Sequence, residues 1–548
     1  MTVLNVIKNK TLNGAQIITE TLKALDTKCI FGYPGGVVLG LYDALYNDNG
    51  IKHYLVRHEQ AAVHAAEGYA RVTGKCGVVI VTSGPGAANT VSAISNAYMD
   101  GYPVLVLTGQ VAKHKIGTDA FQEINIVEIT KSCSKAGFQV LNVDELEETL
   151  IKAYNCAIEG KKGPVVVDLS QNIFNEECIY KGIAQITEKS SVLIGDNIQD
   201  IIAEIENSEA PIVVAGGGVQ HSKAYKELFS FVKTLNIPIV STMMGLCSYP
   251  QEDKNYFGMI GLFGNAAANC VVKNSDLIIS LGARYNDRIT GCFKNGELTR
   301  KFIQIDINPK EISRVIPAYK YIVGDIEEFL SSVNRILSTS NYKSQHEKWL
   351  DYAQKYKSFN KVNTPISENL QGFEVIREIY NFAKDKHYVI STEVGQHQML
   401  TVQNYKFATS DKFLTSGGSG TMGFGFPAAI GASIAQGKSP VICIAGDGSF
   451  QMNEQELATC VDYNIPVKIF IMNNGYLGMV RQLQQGGYEK RYSQTKISNP
   501  DYIKLAQAYG IKAERINNKN DIQKALKNAF SVNEPYIIDF VIEPFEVV

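Results

Sequence analysis

An α/β protein of three doubly wound parallel-sheet domains is the fold class that this sequence predicts. Three observations lead there. The chain of 548 residues is too long for one core and matches about three or four domains of ordinary size. Short β-branched apolar runs alternate with longer helix-length stretches, the pattern of parallel strands joined by crossover helices. These runs fall into three blocks, parted by two stretches without a strong apolar period.

The first block holds KCIFGYP, KHYLVRH, CGVVIVTSG and PVLVLTG, and closes near GPVVVDLS. The stretch from about Glu177 to Gln199 reads as a linker. The second block opens with PIVVAGGG and continues through IPIVST, DLIISLGAR and KFIQIDINP. A polar stretch around Ser338 to Glu368, which contains Trp349, separates the third block. That block carries HYVISTEVG, PVICIAGDG, VKIFIMNN and PYIIDFVI. The expected domains are therefore an N-terminal one over 1–185, a central one over 190–340 and a C-terminal one over 365–548. No short tandem repeat is visible. Shared architecture between the first and third blocks is a candidate that sequence alone does not establish.

Composition narrows the function. Hydrophobic residues are 45% and charged residues 20%, ordinary for a globular chain, and a net charge of −2 supplies no basic field for nucleic acid or an anionic membrane. No apolar run approaches the ~18 residues of a membrane span, and Met1 to Lys10 lacks a signal-peptide core. The ten cysteines are scattered without C-x-x-C and read as buried, reduced thiols of a cytoplasmic protein. The eight histidines are dispersed and no H-E-x-x-H occurs, which argues against zinc.

The chemistry concentrates at strand ends. PVICIA runs into Gly446-Asp447-Gly448, and VKIFIM runs into Asn473-Asn474. Each alone is a common turn. As a pair behind two apolar strands they place a carboxylate and an amide oxygen where parallel sheets gather ligands. With a nearby carbonyl, these suit Mg²⁺, which takes its remaining oxygens from a phosphate. Flanking glycines let the backbone approach that phosphate. Nearby, GSGTMG (Gly418–Gly423) matches the dinucleotide fingerprint G-x-G-x-x-G, between strand-like KFLTS and an alanine-rich helix. In the first block Glu59 stands between the strand KHYLV and an alanine-rich helix, where a helix dipole alone would favour it.

G-D-G followed some two dozen residues later by N-N resembles the diphosphate motif of thiamine diphosphate enzymes. The resemblance sharpens through FGYPGG, RHEQ, TSGPGAANT, TGQV, IGTDAFQE, VGQHQM, TMGFGFPAA and YLGMVRQ, which together are similar to the acetohydroxyacid (acetolactate) synthase catalytic-subunit family over nearly the whole chain. It implies a pyrimidine-binding, a central FAD-type and a diphosphate-binding domain. It implies that Asp447, Asn474 and the carbonyl of Tyr476 hold Mg²⁺, which holds the cofactor's diphosphate. Glu59 would hydrogen-bond the aminopyrimidine and promote the tautomer that takes the thiazolium proton. Gly36, Phe121 and Gln122 would line the reacting centre. Pro34, Val394, Gly395, Gln396, His397, Gly420, Met422, Gly446, Gly448, Ser449, Leu477, Gly478, Met479 and Val480 would contact thiamine diphosphate, the loop of Gly420 and Met422 running beneath it. Met479, Val480 and Leu483 would flank the substrate; core packing is the bland alternative for Phe121 and Met479.

The central block carries AGGGV, STMMG, GLFGN, GARYNDR and IDIN, glycine-rich loops after strands that suit a dinucleotide. By resemblance Gly217, Gly218, Thr242, Gly264, Arg284, Asp306 and Asp325 would hold an FAD that does no net redox work. The active unit implied is a homodimer whose sites combine the Glu59 side of one subunit with the Asp447 side of the other; dimers paired into a tetramer and a regulatory subunit are further candidates.

The chain departs from the family on the acceptor side. Leu483 stands where biosynthetic synthases carry tryptophan, Gly486 and Gly487 replace bulkier residues, and Leu400 follows HQM where tryptophan is usual. Ala112 replaces a usual proline and Gln171 a usual lysine, and the sequence stops at EPFEVV where typical members continue into a proline-rich tail. These changes point to a wider acceptor pocket. The expected reaction decarboxylates pyruvate and passes the two-carbon unit to a second 2-oxo acid, giving 2-acetolactate for branched-chain amino-acid biosynthesis. The alternatives are a bulkier ketone acceptor such as a keto-sugar, a flavin-using pyruvate oxidase, and an inactive scaffold or regulatory paralogue.

Overall fold

The computed structural model of the protein describes residues 9–46, 48–182, 192–293, 300–340, 342–360 and 368–548. Among these the N-terminal part holds β1 (Lys10–Asn13), β2 (Cys29–Tyr33), β3 (Lys52–Leu55), β4 (Gly77–Val81), β5 (Val104–Gln110), β6 (Ala136–Val140), β7 (Val165–Ser170) and β8 (Glu177–Tyr180). Six of them form a wholly parallel sheet in the order β3-β2-β4-β5-β7-β6. β1 and β8 pair separately, antiparallel.

The central part holds β9 (Ile194–Gly195), β10 (Pro211–Ala215), β11 (Ile239–Ser241), β12 (Tyr256–Met259), β13 (Leu277–Leu281), β14 (Lys301–Asp306) and β15 (Lys320–Val323). They form one sheet in the order β12-β11-β10-β13-β14-β15-β9. The expectation of purely parallel sheets is corrected here: β9 runs antiparallel to β15 on the edge.

The C-terminal part holds β16 (Val389–Thr392), β17 (Phe413–Leu414), β18 (Val441–Gly446), β19 (Val467–Asn473), β20 (Lys512–Ile516) and β21 (Tyr536–Val541), ordered β17-β16-β18-β19-β21-β20 and all parallel. Counted within its own sheet, this is the strand order of the N-terminal sheet. The shared architecture that the sequence left open is therefore present. Strands β4, β5, β7 and β18 are buried along their full length, as parallel strands covered on both faces must be.

The two like sheets meet through equivalent helices. Glu59–Thr73, which follows β3, crosses Gly425–Ala435, which follows β17. A Cβ on Gly431 would fall well inside contact with the Ala65 carbonyl, and one on Gly68 inside that of Ala428. Both glycines permit a crossing closer than side chains allow.

Both expected linkers carry structure. The first contains β8 and β9, four and two residues long: β8 buries only Tyr180 fully and β9 is exposed throughout, too little for an apolar period to show. The second contains the helix Glu347–Gln354, where Trp349 donates from Nε1 to the Pro211 carbonyl at 3.0 Å and packs on the central sheet. None of the ten cysteines forms a disulfide among the described residues; five are buried as expected and the other five are partly exposed. Among the described residues no helix is long and apolar enough to cross a membrane.

Candidate active site

Adjacent strands β18 and β19 pair Gly446 with Met472, so Asp447 and Asn474 emerge side by side at the carboxyl end of the sheet. Asp447 is only 2% exposed. Its Oδ2 accepts from the Gly475 N–H at 2.7 Å and from Asn499 Nδ2 at 2.9 Å, and its Oδ1 from the Gly448 N–H at 3.0 Å. Burial raises its carboxyl to about 6, against the lowering effect of these donors, and among the described residues no lysine or arginine pairs with it. Asn499 also donates to Asn473 Oδ1, and the Tyr502 hydroxyl to the Asp447 carbonyl.

Asn474 Oδ1 accepts from the Tyr476 N–H at 3.0 Å, a local turn that fixes the amide and leaves the oxygen a second lone pair. The loop is held open by backbone bridging between Tyr476 and Lys496. Among the described residues no three His, Cys, Asp or Glu side chains cluster as metal ligands. The oxygen donors here are one carboxylate, one amide and backbone carbonyls, a set suited to Mg²⁺ rather than to a transition metal.

His397 closes the other wall. Its ring packs where a Cβ on Gly446 would stand 2.7 Å from Nδ1, its Nε2 is buried without a partner among the described residues, and burial lowers its pKa to about 4. A buried ring nitrogen without a partner beside a Gly-Asp-Gly turn fits an anionic ligand group supplied from outside. Gly420 and Gly423, at φ +66° and +90°, carry the loop after β17.

These residues share one cavity of about 680 Å³. Val394, Gly395, Gln396, His397, Gly420, Met422, Gly446, Asp447, Gly448, Ser449, Asn474, Tyr476, Leu477 and Gly478 line it, as do Met479, Val480 and Leu483. Leu483, in the helix Gly478–Gly487, is 53% exposed.

The cavity continues into the central part, where Gly217, Gly218, Thr242, Arg284, Asp306 and Asp325 line it. A Cβ on Gly216 or Gly218 would strike the backbone of Gly282 or Ala283, so the loops after β10 and β13 lie backbone to backbone. Asp325 caps the helix Ile326–Thr339 by accepting from the Glu327 N–H. Burial raises Asp306 to about 6. Gly264 does not line the cavity; it serves the tight turn at Gly261–Gly264.

Glu59, Gly36, Gln122, Phe121 and Pro34 lie outside this cavity. Glu59 begins its helix and accepts from Asn89 Nδ2 at 2.9 Å. A Cβ on Gly84 would stand 2.8 Å from Gln122 Cβ, and one on Gly86 3.3 Å from Glu59 Oε1. The TSGPG turn thus brings Gln122, itself at φ +63°, and Glu59 to one face. Gly36 faces open space and Phe121 is 88% exposed.

Family comparisons agree with this layout. Models described as the N-terminal TPP binding domain, the central domain and the C-terminal TPP binding domain of thiamine pyrophosphate enzymes match residues 12–129, 198–333 and 393–540. The acetolactate synthase large subunit of Haemophilus influenzae is 38% identical, covering 98% of this chain and 96% of its own. A probable acetolactate synthase large subunit of Methanocaldococcus jannaschii is 41% identical over 98% and 93%, and the isozyme 2 large subunit of Escherichia coli is 36% identical over 98% and 96%. The chain belongs to the acetolactate synthase large-subunit family of thiamine pyrophosphate enzymes.

Sequence reasoning missed several residues of this acetolactate synthase-like site. Asn499 and Tyr502 reach Asp447 from a distant loop and helix, and Met99, Asp100, Lys161 and Lys162 bring the N-terminal part to the central wall. Glu543, Glu546 and Val548 line the cavity too. Gln482 Nε2 donates to the Val548 carbonyl at 2.7 Å and its Oε1 accepts from the Val548 N–H at 3.0 Å, while Gln396 Nε2 donates to the Glu546 carbonyl at 2.9 Å. Asn499, Tyr502, Glu543, Glu546 and Val548 belong to no glycine-rich turn, the signal that revealed most of the others.

Proposed function

We propose that the chain is an acetolactate synthase: it decarboxylates pyruvate and transfers the two-carbon unit to a second 2-oxo acid, forming 2-acetolactate. The observation that carries this reading is the single cavity that runs from Asp447, Asn474 and His397 to Met479, Val480 and Leu483. Thiamine diphosphate supplies a carbon nucleophile and an electron sink for the decarboxylated fragment. Asp447, Asn474 Oδ1 and the Tyr476 carbonyl would hold Mg²⁺, and His397 Nε2 would face the diphosphate. Glu59 would hold the proton exchanged with the cofactor's pyrimidine, with Asn89 orienting its carboxylate. Gln122 and Gly36 would orient the reacting oxygens beside open space. FAD would fill the central arm of the cavity as a structural group.

Because Glu59 lies outside the cavity that Asp447 lines, the complete site would form between two subunits. A small regulatory partner is a further candidate, since the relatives are named large subunits.

A second reading keeps the pyruvate donor and admits a bulkier ketone acceptor. It rests on the exposure of Leu483 and on Gly486 and Gly487, at which an added Cβ would meet nothing within 4 Å. One experiment addresses both: products of pyruvate, thiamine diphosphate, Mg²⁺ and FAD are analysed with pyruvate alone and with a panel of ketones. Acetolactate from pyruvate alone, reduced at least ~100-fold by Glu59→Gln, supports the first reading. Product only with a bulky ketone supports the second, and no carboligation under saturating cofactor refutes both.

A further inference from the structure

A second, smaller cavity of about 80 Å³ lies where all three domains meet. The N-terminal part contributes Arg71, Gly74, Tyr102 and Lys162, the central part Gln220, His221, Lys223 and Tyr225, and the C-terminal part Asp411 and Lys412. None of these residues belongs to the strand-end motifs of the active site.

The cations here are poorly balanced. Lys223 caps the helix Gly217–Ser222 in the left-handed conformation at φ +58°, costly for a side chain with a Cβ. That conformation carries its ammonium across to the N-terminal domain, where a Cβ on Gly74 would stand 3.7 Å from Nζ. Lys412 is half-buried; desolvation first and then the charge of Lys223 lower its pKa, opposed only by the distant thiol of Cys247. The charge of Lys162 likewise depresses His221, after burial. Neither Lys223 nor Lys412 has an ion-pair partner among the described residues.

The nearby carboxylates are committed elsewhere. Asp411 accepts from the Ala408 N–H at 2.7 Å and faces His387 Nδ1 at 3.4 Å. Asp100 takes Arg71 at 2.6 Å and the N–H groups of Gly417 and Gly418, and Glu67 takes Arg71 as well. Arg71 is thereby neutralised, and Lys223 and Lys412 line a pocket whose one carboxylate among the described residues is Asp411.

We propose that this junction is an anion site, in which Lys223 and Lys412 hold one phosphate-sized oxyanion where the three domains meet. The volume equals two to three waters at roughly 30 Å³ each, enough for one such group and too little for a nucleotide. The ligand is therefore free phosphate or the terminal phosphate of a molecule whose remainder stays outside. The site would also bear on the cofactor cavity. His221 lines both cavities and its Nε2 lies 3.2 Å from the Asp100 carbonyl, while the Asp100 carboxylate holds the loop that leads to Gly420.

The test is thermal unfolding of the holoenzyme, saturated with thiamine diphosphate, Mg²⁺ and FAD so that the cofactors' own phosphate positions are filled. Midpoints are compared in potassium chloride, potassium phosphate and phenyl phosphate at equal ionic strength and pH. A saturable rise of roughly 1–3 °C at tenfold over half-saturation is expected with phosphate, phenyl phosphate or both, and the pattern tells the free ion from a terminal group. The double substitution Lys223→Gln and Lys412→Gln should raise the midpoint in chloride, because it removes mutual repulsion, and should abolish the phosphate response. Equal midpoints in chloride and phosphate, a response that survives the double substitution, or a lower midpoint of the variant in chloride would each overturn the proposal.

Discussion

Glu456 shows how a residue without a motif shapes the site. It is fully buried; its Oε1 accepts from the Arg57 N–H at 2.8 Å and its Oε2 from the Thr459 hydroxyl at 2.6 Å. It thus grips the turn that delivers Glu59, two residues on. Burial raises its carboxyl from 4.5 to about 7. Such a group contributes its stability fully below pH ~4.5 and loses it as pH rises through ~7, because the folded state resists ionisation. Glu456→Gln keeps an acceptor for Arg57 and removes that ionisation. Its midpoint relative to the native protein should therefore be flat below pH ~4.5 and climb until pH passes ~7. A constant difference from pH 4 to 9 would count against this. Asp447 and Asn474, by contrast, were legible in the sequence because glycine and asparagine directly after an apolar run mark a strand's carboxyl end. Asn499 and Tyr502 were not, since they reach Asp447 from 52 and 55 residues along the chain.

At the scale of elements, what the sequence showed and what it hid follow from burial. The runs CGVVIVTSG, PVLVLTG and PVICIAGDG became central strands buried throughout. The missed strands β6 and β20, AGFQV and KAERI, lie on sheet edges and are half exposed, so polar residues interrupt any apolar signal. The crossing of Glu59–Thr73 with Gly425–Ala435 was equally hidden, because a glycine within a helix does not announce what it touches. Gly431→Ala would set a methyl group against the Ala65 carbonyl. A loss of roughly 1–3 kcal/mol is expected, seen as a lower denaturant midpoint. An unchanged midpoint would mean that the helices part without cost.

At the scale of the molecule, the division of labour between domains makes a prediction that needs two inactive proteins. Glu59→Gln and Asp447→Asn, each inactive alone, are mixed, dissociated and reassociated. If sites combine two subunits, half the random dimers are mixed and each carries one intact site, so about a quarter of native activity returns. If each chain completes its own site, none returns. The three-block organisation was readable from the spacing of apolar runs; the cavity between blocks was not, because its walls come from loops whose meeting depends on the tertiary fold. The like strand orders of the first and last sheets have a mechanical consequence. One helix of the crossing begins at Glu59, and the other follows the loop that carries Gly420 and Met422. A few degrees of rotation at this glycine-tight crossing would move Glu59 and the Gly420–Met422 loop together; if Glu59 handles the proton and each site combines two subunits, as proposed, those parts would serve different reaction chambers.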